Sequence, residues 1–233
     1  MQTIGLIGGM SWESTAAYYE GLNKGVQERL GGLHSAKIVL ASVDLAELTT
    51  LQEKEAWDQV AEILVASAKS VVAAGADFIL MCTTTFHKVY DEVAAAVDVP
   101  VLHLADVLAT RCKELGITKA GFLASRYTVA NDFFAQRISD HGVDVNLPDT
   151  LHVEMLDSII YEELVHRNVL AGSRKRVLEV VHELWDAGSD GVILGASELS
   201  LLVRPSDVDV PILDAISAHV EAALNLALAE TTE

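Results

Sequence analysis

Short apolar runs alternate along this chain with longer stretches in which apolar residues recur at helical spacing. Thr3-Ile4-Gly5-Leu6-Ile7-Gly8-Gly9 is the first such run; its glycines predict a buried strand closing in a tight turn. A helix is expected from about Ser14 to Leu30, with Ser11 as its capping candidate. Strands follow at Lys37 to Val43 and Phe78 to Cys82, separated by helical periodicity from about Glu53 to Ala73. A helix from about His87 to Val97 leads to a short strand, Val99 to Leu102. The second half repeats this order. Strands are read at Lys119 to Ala124, Val143 to Val145, Gly191 to Leu194 and Val210 to Leu213. Helices are read at Val129 to His141, Met155 to Arg167, Gly172 to Ala187 and Ala215 to Ala229. Strands alternating with helices predict βαβ units and a mainly parallel sheet, and the uniformly apolar strands fit a sheet covered on both faces.

The two halves match in residues as well as in order. Ala74-Gly75-Ala76-Asp77-Phe78-Ile79-Leu80 lies opposite Ala187-Gly188-Ser189-Asp190-Gly191-Val192-Ile193, and Val99-Pro100-Val101-Leu102 lies opposite Val210-Pro211-Ile212-Leu213. The strand at Ile4 to Ile7 pairs with Ala120 to Leu123, and all three matches recur at a nearly constant spacing of just under half the chain. The expected fold is α/β: two pseudo-symmetric lobes related by a pseudo-two-fold axis, each a mainly parallel sheet flanked by helices. The first lobe is read as 1–98 plus 214–233 and the second as 99–213.

Ligands of open parallel sheets bind beyond the carboxyl ends of the strands, so the site is expected there, in the cleft between the lobes. Those ends read Gly8-Gly9-Met10-Ser11, Ser42-Val43-Asp44, Thr83-Thr84-Thr85, Ser125-Arg126-Tyr127-Thr128 and Ala196-Ser197-Glu198. They are rich in hydroxyls and small residues, which let backbone N–H groups approach an anion. The repeat pairs Thr83 with Ala196 and Thr84 with Ser197. Gly5-x-x-Gly8-Gly9 lacks the spacing of a dinucleotide site, and no phosphate-binding loop motif exists.

Composition narrows the partners. Of 233 residues, 51% are hydrophobic and 21% charged, ample for a packed core. The net charge of −18, from 34 acidic and 16 basic residues, repels phosphate backbones and anionic lipid, so neither nucleic acid nor membrane is an expected partner. No apolar run is long enough to span a bilayer, and Met1 to Gly9 has no basic region, so a cytoplasmic protein is expected. Cys82 and Cys112 are too few for a disulfide framework, and no Cys/His cluster has zinc spacing, so no metal is expected.

Ile4-Gly5-Leu6-Ile7-Gly8-Gly9-Met10-Ser11-Trp12-Glu13-Ser14-Thr15 resembles the opening signature of the aspartate/glutamate racemase family, the cofactor-independent amino-acid racemases. Cys82-Thr83-Thr84-Thr85-Phe86-His87-Lys88 resembles that family's first catalytic segment, usually Cys-Asn-Thr-x-His, and Leu194-Gly195-Ala196-Ser197-Glu198-Leu199 its second, usually Gly-Cys-Thr-Glu. Arg126-Tyr127-Thr128 and Arg29-Leu30-Gly31-Gly32-Leu33-His34-Ser35 are similar to the bacterial aspartate racemase branch. The resemblance covers essentially the whole chain. It implies proton abstraction at Cα on one face and return on the other by two cysteines, without any cofactor, on aspartate or glutamate, in a homodimer.

The frame of the motif puts the family's cysteine positions at Thr83 and Ala196. A threonine hydroxyl is a far weaker acid than a thiol, and alanine has no exchangeable proton, so two-thiol racemisation is not available to this chain as written. Cys82 directly precedes Thr83, and neighbouring side chains on a strand point to opposite faces, so it reads as a small buried hydrophobe. The resemblance also gives Glu198 a place near the substrate ammonium group, beside its simpler role as a first-turn carboxylate. It places Gln52, read as just before a helix, near a substrate side-chain contact, and Arg167 near a lysine of relatives for the distal carboxylate, though an exposed helix-end charge is the better account of Arg167. Met10, Thr84, Thr85, Ser125, Tyr127, Thr128 and Ser197 complete the expected binding residues. His87 is read as orienting the preceding loop, and Glu53-Lys54-Glu55 and Glu162-Glu163 as solvated helix faces. The alternatives are a catalytically degenerate homologue that binds a dicarboxylic amino acid, or a superfamily isomerase or decarboxylase.

Overall fold

A computed structural model describes residues 1–229 of the chain; residues 230–233, given to the first lobe by the sequence reading, lie outside the described residues. The chain forms two compact units. One comprises Met1–His103 with the segment from His219 onward, and the other Leu104–Ala218.

The first unit carries strands β1 (Ile4–Gly8), β2 (Ile38–Ser42), β3 (Phe78–Met81) and β4 (Val101–Leu102), in the order β2-β1-β3-β4, all parallel. Helix α1 (Trp12–Leu30) starts where Ser11 accepts the Ser14 N–H on its side chain. Helices α2 (Leu45–Glu53), α3 (Trp57–Ala73) and α4 (Tyr90–Ala95) complete the segment before β4. Ile7, Ile79 and Met81 pack with Leu48 of α2 and with Val60, Leu64, Ala68 and Val71 of α3 into one core cluster. Each such aliphatic side chain taken out of water contributes about 1.5–3 kcal/mol. Tyr18, Leu22 and Val26 of α1 are buried as well.

The second unit repeats the topology. Strands β5 (Lys119–Leu123), β6 (Asp144–Asn146), β7 (Gly191–Leu194) and β8 (Ile212–Asp214) lie parallel in the order β6-β5-β7-β8. Its helices are α5 (Leu104–Glu114), α6 (Arg126–Ala130), α7 (Phe133–Asp140), α8 (Thr150–Ser158) and α9 (Ala171–Asp186). Phe122 and Ile193 pack with Leu104, Leu108, Phe134 and Ile138, while Leu123, Val192 and Leu194 pack with Val177, Val181 and Leu184 of α9. Helix α10 (Ala215–Leu228) then carries the chain back into the first unit.

The repeated residues do the same work in each sheet. Asp77 accepts the Thr3 N–H at 2.6 Å and donates its own N–H to Thr3 O; Asp190 accepts from Thr118 and Lys119 N–H at 2.9 and 3.0 Å and donates to Lys119 O. Each aspartate thus pins the start of a central strand to its neighbour. Gly75 and Gly188 precede them with φ of 96° and 87°, a backbone that side-chain-bearing residues rarely adopt. Pro100 and Pro211 sit beside edge strands, where a missing N–H costs nothing, and their carbonyls accept from Ile79 and Val192.

Several element boundaries differ from the sequence reading. The helix expected from Glu53 to Ala73 begins later, as α3 at Trp57, and an unexpected helix, α2, precedes it; the two are parted where Glu55 takes a φ of 55°. The stretch Val129 to His141 is likewise split into α6 and α7 at Asp132, φ 51°. His87 to Val97 is a 3-10 turn, Thr85–Val89, followed by the short α4. Met155 to Arg167 starts earlier, as α8 at Thr150, and ends in a π turn, Ile159–Glu163, and a 3-10 turn, Leu164–His166. The boundary between units falls after β4, because β4 pairs with β3; residues 99–102 therefore lie in the first unit, and β8 closes the second sheet.

Candidate active site

The end of β1 is a turn that closes on itself. Gly9 adopts φ 87°, its N–H donates to Thr15 Oγ1 at 2.9 Å, and that hydroxyl donates to Ser11 O at 2.9 Å. Met10 is buried within this turn at 6% exposure. Gln52 lies in the last turn of α2, half-buried, not ahead of a helix as its sequence context implied. The reason is Asp44, which caps α2 by accepting the Ala46 N–H and so starts a helix the apolar spacing alone does not announce.

Just past the end of β3 lies Cys82, whose N–H donates to Ile7 O at 2.9 Å. Thr83, Thr84 and Thr85 follow, all half-buried. Thr83 Oγ1 accepts from Phe86 N–H at 3.4 Å, and Thr84 O accepts from His87 N–H at 3.2 Å, which winds the segment into the 3-10 turn. Behind the turn lies a buried group of rings. His87 and His103 are 2% and 4% exposed with ring centres 4.6 Å apart, and Tyr90 lies 4.5 Å from His103. His219, fully buried, faces Tyr18 Oη at 2.8 Å through Nδ1 and the Leu102 carbonyl at 3.2 Å through Nε2. A carbonyl only accepts, so Nε2 carries the proton and Nδ1 accepts from Tyr18. Nothing in the sequence pattern flagged this cluster, because its members are spread from residue 18 to residue 219.

The second unit reproduces the arrangement at its own strand ends. Just past the end of β7 lies Gly195, whose N–H donates to Leu123 O at 2.7 Å, as Cys82 does to Ile7. Ala196 then leads into a 3-10 turn, Ser197–Leu201, closed by Leu199 N–H to Ala196 O. Thr83 and Ala196 therefore hold the same position relative to the strands, each the second residue past the strand end; Ala196 directly precedes its 3-10 turn, while Thr84 stands between Thr83 and the turn of the first unit. Ser197 Oγ donates to Glu198 Oε2 at 2.9 Å, and all three of Ala196, Ser197 and Glu198 are half-buried. At the end of β5, Ser125 caps α6 and its hydroxyl meets that of Thr128 at 3.1 Å; both residues are buried, and Tyr127 half-buried. Arg126 N–H donates to Asp157 Oδ1 at 2.8 Å. Arg167 is exposed and ends the Leu164–His166 turn in a left-handed conformation, φ 58°.

Two features of this end were read otherwise from the sequence. Glu163 is not simply solvated: its Oε2 is buried and has no hydrogen-bond partner among the described residues. Tyr161, not singled out from the sequence, sits on the π turn, and burial first, then the charges of Asp157 and Glu198, push its pKa up. Its signal was the apolar pair Ile159-Ile160 directly before it, which buries one side of the turn.

The cysteines are poorly suited to proton transfer. Cys82 is fully buried, and that burial pushes its thiol far above the ordinary range; Cys112, on α5, is pushed up to about 11 for the same reason. Among the described residues, no group of three or more His, Cys, Asp or Glu side chains is placed to hold a metal ion, and no helix is long and apolar enough to cross a membrane.

Residues 7–223 match the family model described as Asp/Glu/Hydantoin racemase. A provisionally assigned Asp/Glu racemase from Yersinia pestis is 44% identical, with a TM-score of 0.92 over 98% of this chain and 100% of that one. An aspartate racemase homologue from Pyrococcus horikoshii OT3 is 30% identical, with a TM-score of 0.85 over 97% and 99%. The aspartate racemase of Picrophilus torridus, 20% identical, shares the fold with a TM-score of 0.76 over 97% and 94%.

Proposed function

The chain belongs to the Asp/Glu/Hydantoin racemase family, and from that membership we propose that it is a cofactor-independent racemase of the aspartate/glutamate type whose second proton carrier is missing. The observation that carries the reading is the pair of equivalent positions, Thr83 and Ala196, each the second residue past a strand end and ahead of a 3-10 turn. Inverting a stereocentre without a cofactor needs one group to take the Cα proton and another to return one from the opposite face. A thiol, with an ordinary pKa near 8.5, serves both roles near neutral pH. At position 83 a hydroxyl stands instead, and at 196 a methyl group. Cys82 is no substitute, since it is fully buried with a thiol that resists ionisation.

The substrate in this reading is aspartate or glutamate, and Met10, Gln52, Thr84, Thr85, Ser125, Tyr127, Thr128, Arg167, Ser197 and Glu198 are the residues proposed to bind it. A cytoplasmic homodimer completes the proposal, and sedimentation is expected to give the mass of two chains.

Incubating the protein with L- and D-aspartate and glutamate in deuterated water tests the chemistry. The chain as written is expected to exchange Cα protons slowly or not at all. Ala196→Cys is expected to raise the exchange rate by about 100-fold or more, the scale of one general acid–base group. No exchange in either form ends the racemase reading. Calorimetric binding that accompanies that silence would mark a non-catalytic amino-acid binder, the role to which Ala196 points.

A further inference from the structure

Among the described residues the two sheets have four edge strands, and three of them are blunted. β4 is two residues long and follows Pro100, β6 runs only Asp144–Asn146, and β8 follows Pro211 and ends on Asp214. Short strands, prolines and charges are the usual guards against a foreign strand pairing with an open edge. β2 carries none of them: Ile38-Val39-Leu40-Ala41-Ser42 is five residues long, without charge or proline. Lys37 O accepts from Ile4 N–H and Val43 N–H donates to Gly8 O, so the odd-numbered residues turn their amide groups toward β1. Ile38, Leu40 and Ser42 therefore turn theirs to the open side, where they meet no partner among the described residues.

Apolar surface lies beside this edge. A Cβ at Gly8 would lie 2.4 Å from Thr15 Cγ2 and 2.9 Å from Leu40 Cδ1, so Leu40 points to the sheet face that α1 covers. Two turns further along α1, Asn23 Oδ1 accepts the Ala36 N–H at 3.1 Å, just ahead of β2. Tyr19, four residues from both Thr15 and Asn23, shares that stripe of the helix. Leu40 is nevertheless 46% exposed, Tyr19 54%, and Trp12, at the start of α1, 61%.

The edge is also complementary to itself. Two copies paired antiparallel about a two-fold axis at Leu40 set Leu40 against Leu40 and Ile38 against Ser42, so that each strand exchanges its outward N–H and C=O groups with the other. The same register brings Lys37 of one copy beside Asp44 of the other, and both residues are exposed. A net charge of −18 drives copies of this chain apart, and the uncharged run Ile38 to Val43 is where that repulsion is least.

We propose that the β2 edge binds a second copy of this chain, so that the first sheet of each copy runs on into the other. This rests on the homodimer reading above and gives it a surface.

Sedimentation and cross-linking of the full chain test the assignment. Leu40→Lys places two like charges at the axis and is expected to raise the dimer dissociation constant by about 30-fold or more, the scale of one central interface residue. In Leu40→Cys the paired Cα atoms would stand about 5.5 Å apart, within reach of a disulfide. Oxidised glutathione is expected to join those chains in pairs, and to leave single the chains of Leu33→Cys, an exposed position in the turn ahead of β2. Cys82 and Cys112 are buried and do not compete. A dimer that tolerates Leu40→Lys or gives no Leu40→Cys cross-link overturns this surface while leaving the homodimer intact. A native chain that sediments as one chain overturns both.

Discussion

At the scale of single residues, burial decides what the titratable groups do. His219 is held down to about 3, chiefly by burial and then by the nearby His87, against a hydrogen bond to Leu102 O that favours its charged form. In the unfolded chain the same imidazole titrates near 6.5. Above that pH both states leave it neutral and its full contribution to stability is present. As pH falls from 6.5 toward 3 only the unfolded chain takes up the proton, so stability drops through that window. The loss is about 2 kcal/mol by pH 5. Urea unfolding at pH 7 and pH 5 checks this, with His219→Gln expected to flatten the difference while lowering stability at both. An equal pH dependence in the two proteins contradicts it. The cysteines follow the same logic in the opposite direction. With Cys82 and Cys112 both buried and their thiols pushed up, a thiol reagent at pH 8 is expected to label neither in the folded protein and both in urea.

At the scale of elements, the strands were legible because a buried parallel strand is apolar along its whole length, and β1, β3 and β7 are buried at every residue. The repeat was legible because Asp77 and Asp190 each tie two strands together, a local task that fixes residue type and spacing. Helix boundaries were less so. The breaks at Glu55 and Asp132 rest on left-handed backbone at residues that are not glycine, which periodicity does not report. The turn after β1 is a case where it does. A Cβ at Gly9 would lie 2.1 Å from the Val43 carbonyl oxygen, and φ is 87°. Gly9→Ala is expected to destabilise the protein by more than about 1 kcal/mol, read from its urea midpoint, since the obstructing atom is backbone.

At the scale of the whole molecule, the first unit is discontinuous in sequence. It is completed only when α10 returns, with Val220 opposite Gly21 and Leu224 opposite Gly25 of α1, and His219 bonded to Tyr18. Leu224 is 2% exposed. Leu224→Ala is expected to cost about 2–5 kcal/mol, and to lower the thermal midpoint accordingly. An undiminished midpoint would show that α10 adds little to the first unit.

The sequence by itself determined the class of the fold, the duplication, the strand ends at Thr83 and Ala196 and the absence of a thiol at either, because these are written in residue type and short-range period. Only the tertiary structure decided which groups stand together: the His87, His103 and His219 cluster, the placing of Gln52 at the close of a helix, and the burial of Glu163 Oε2. The physical reason is separation along the chain. Tyr18 meets His219 only after the strands pair and the helices pack, and no local pattern specifies a partner that far away.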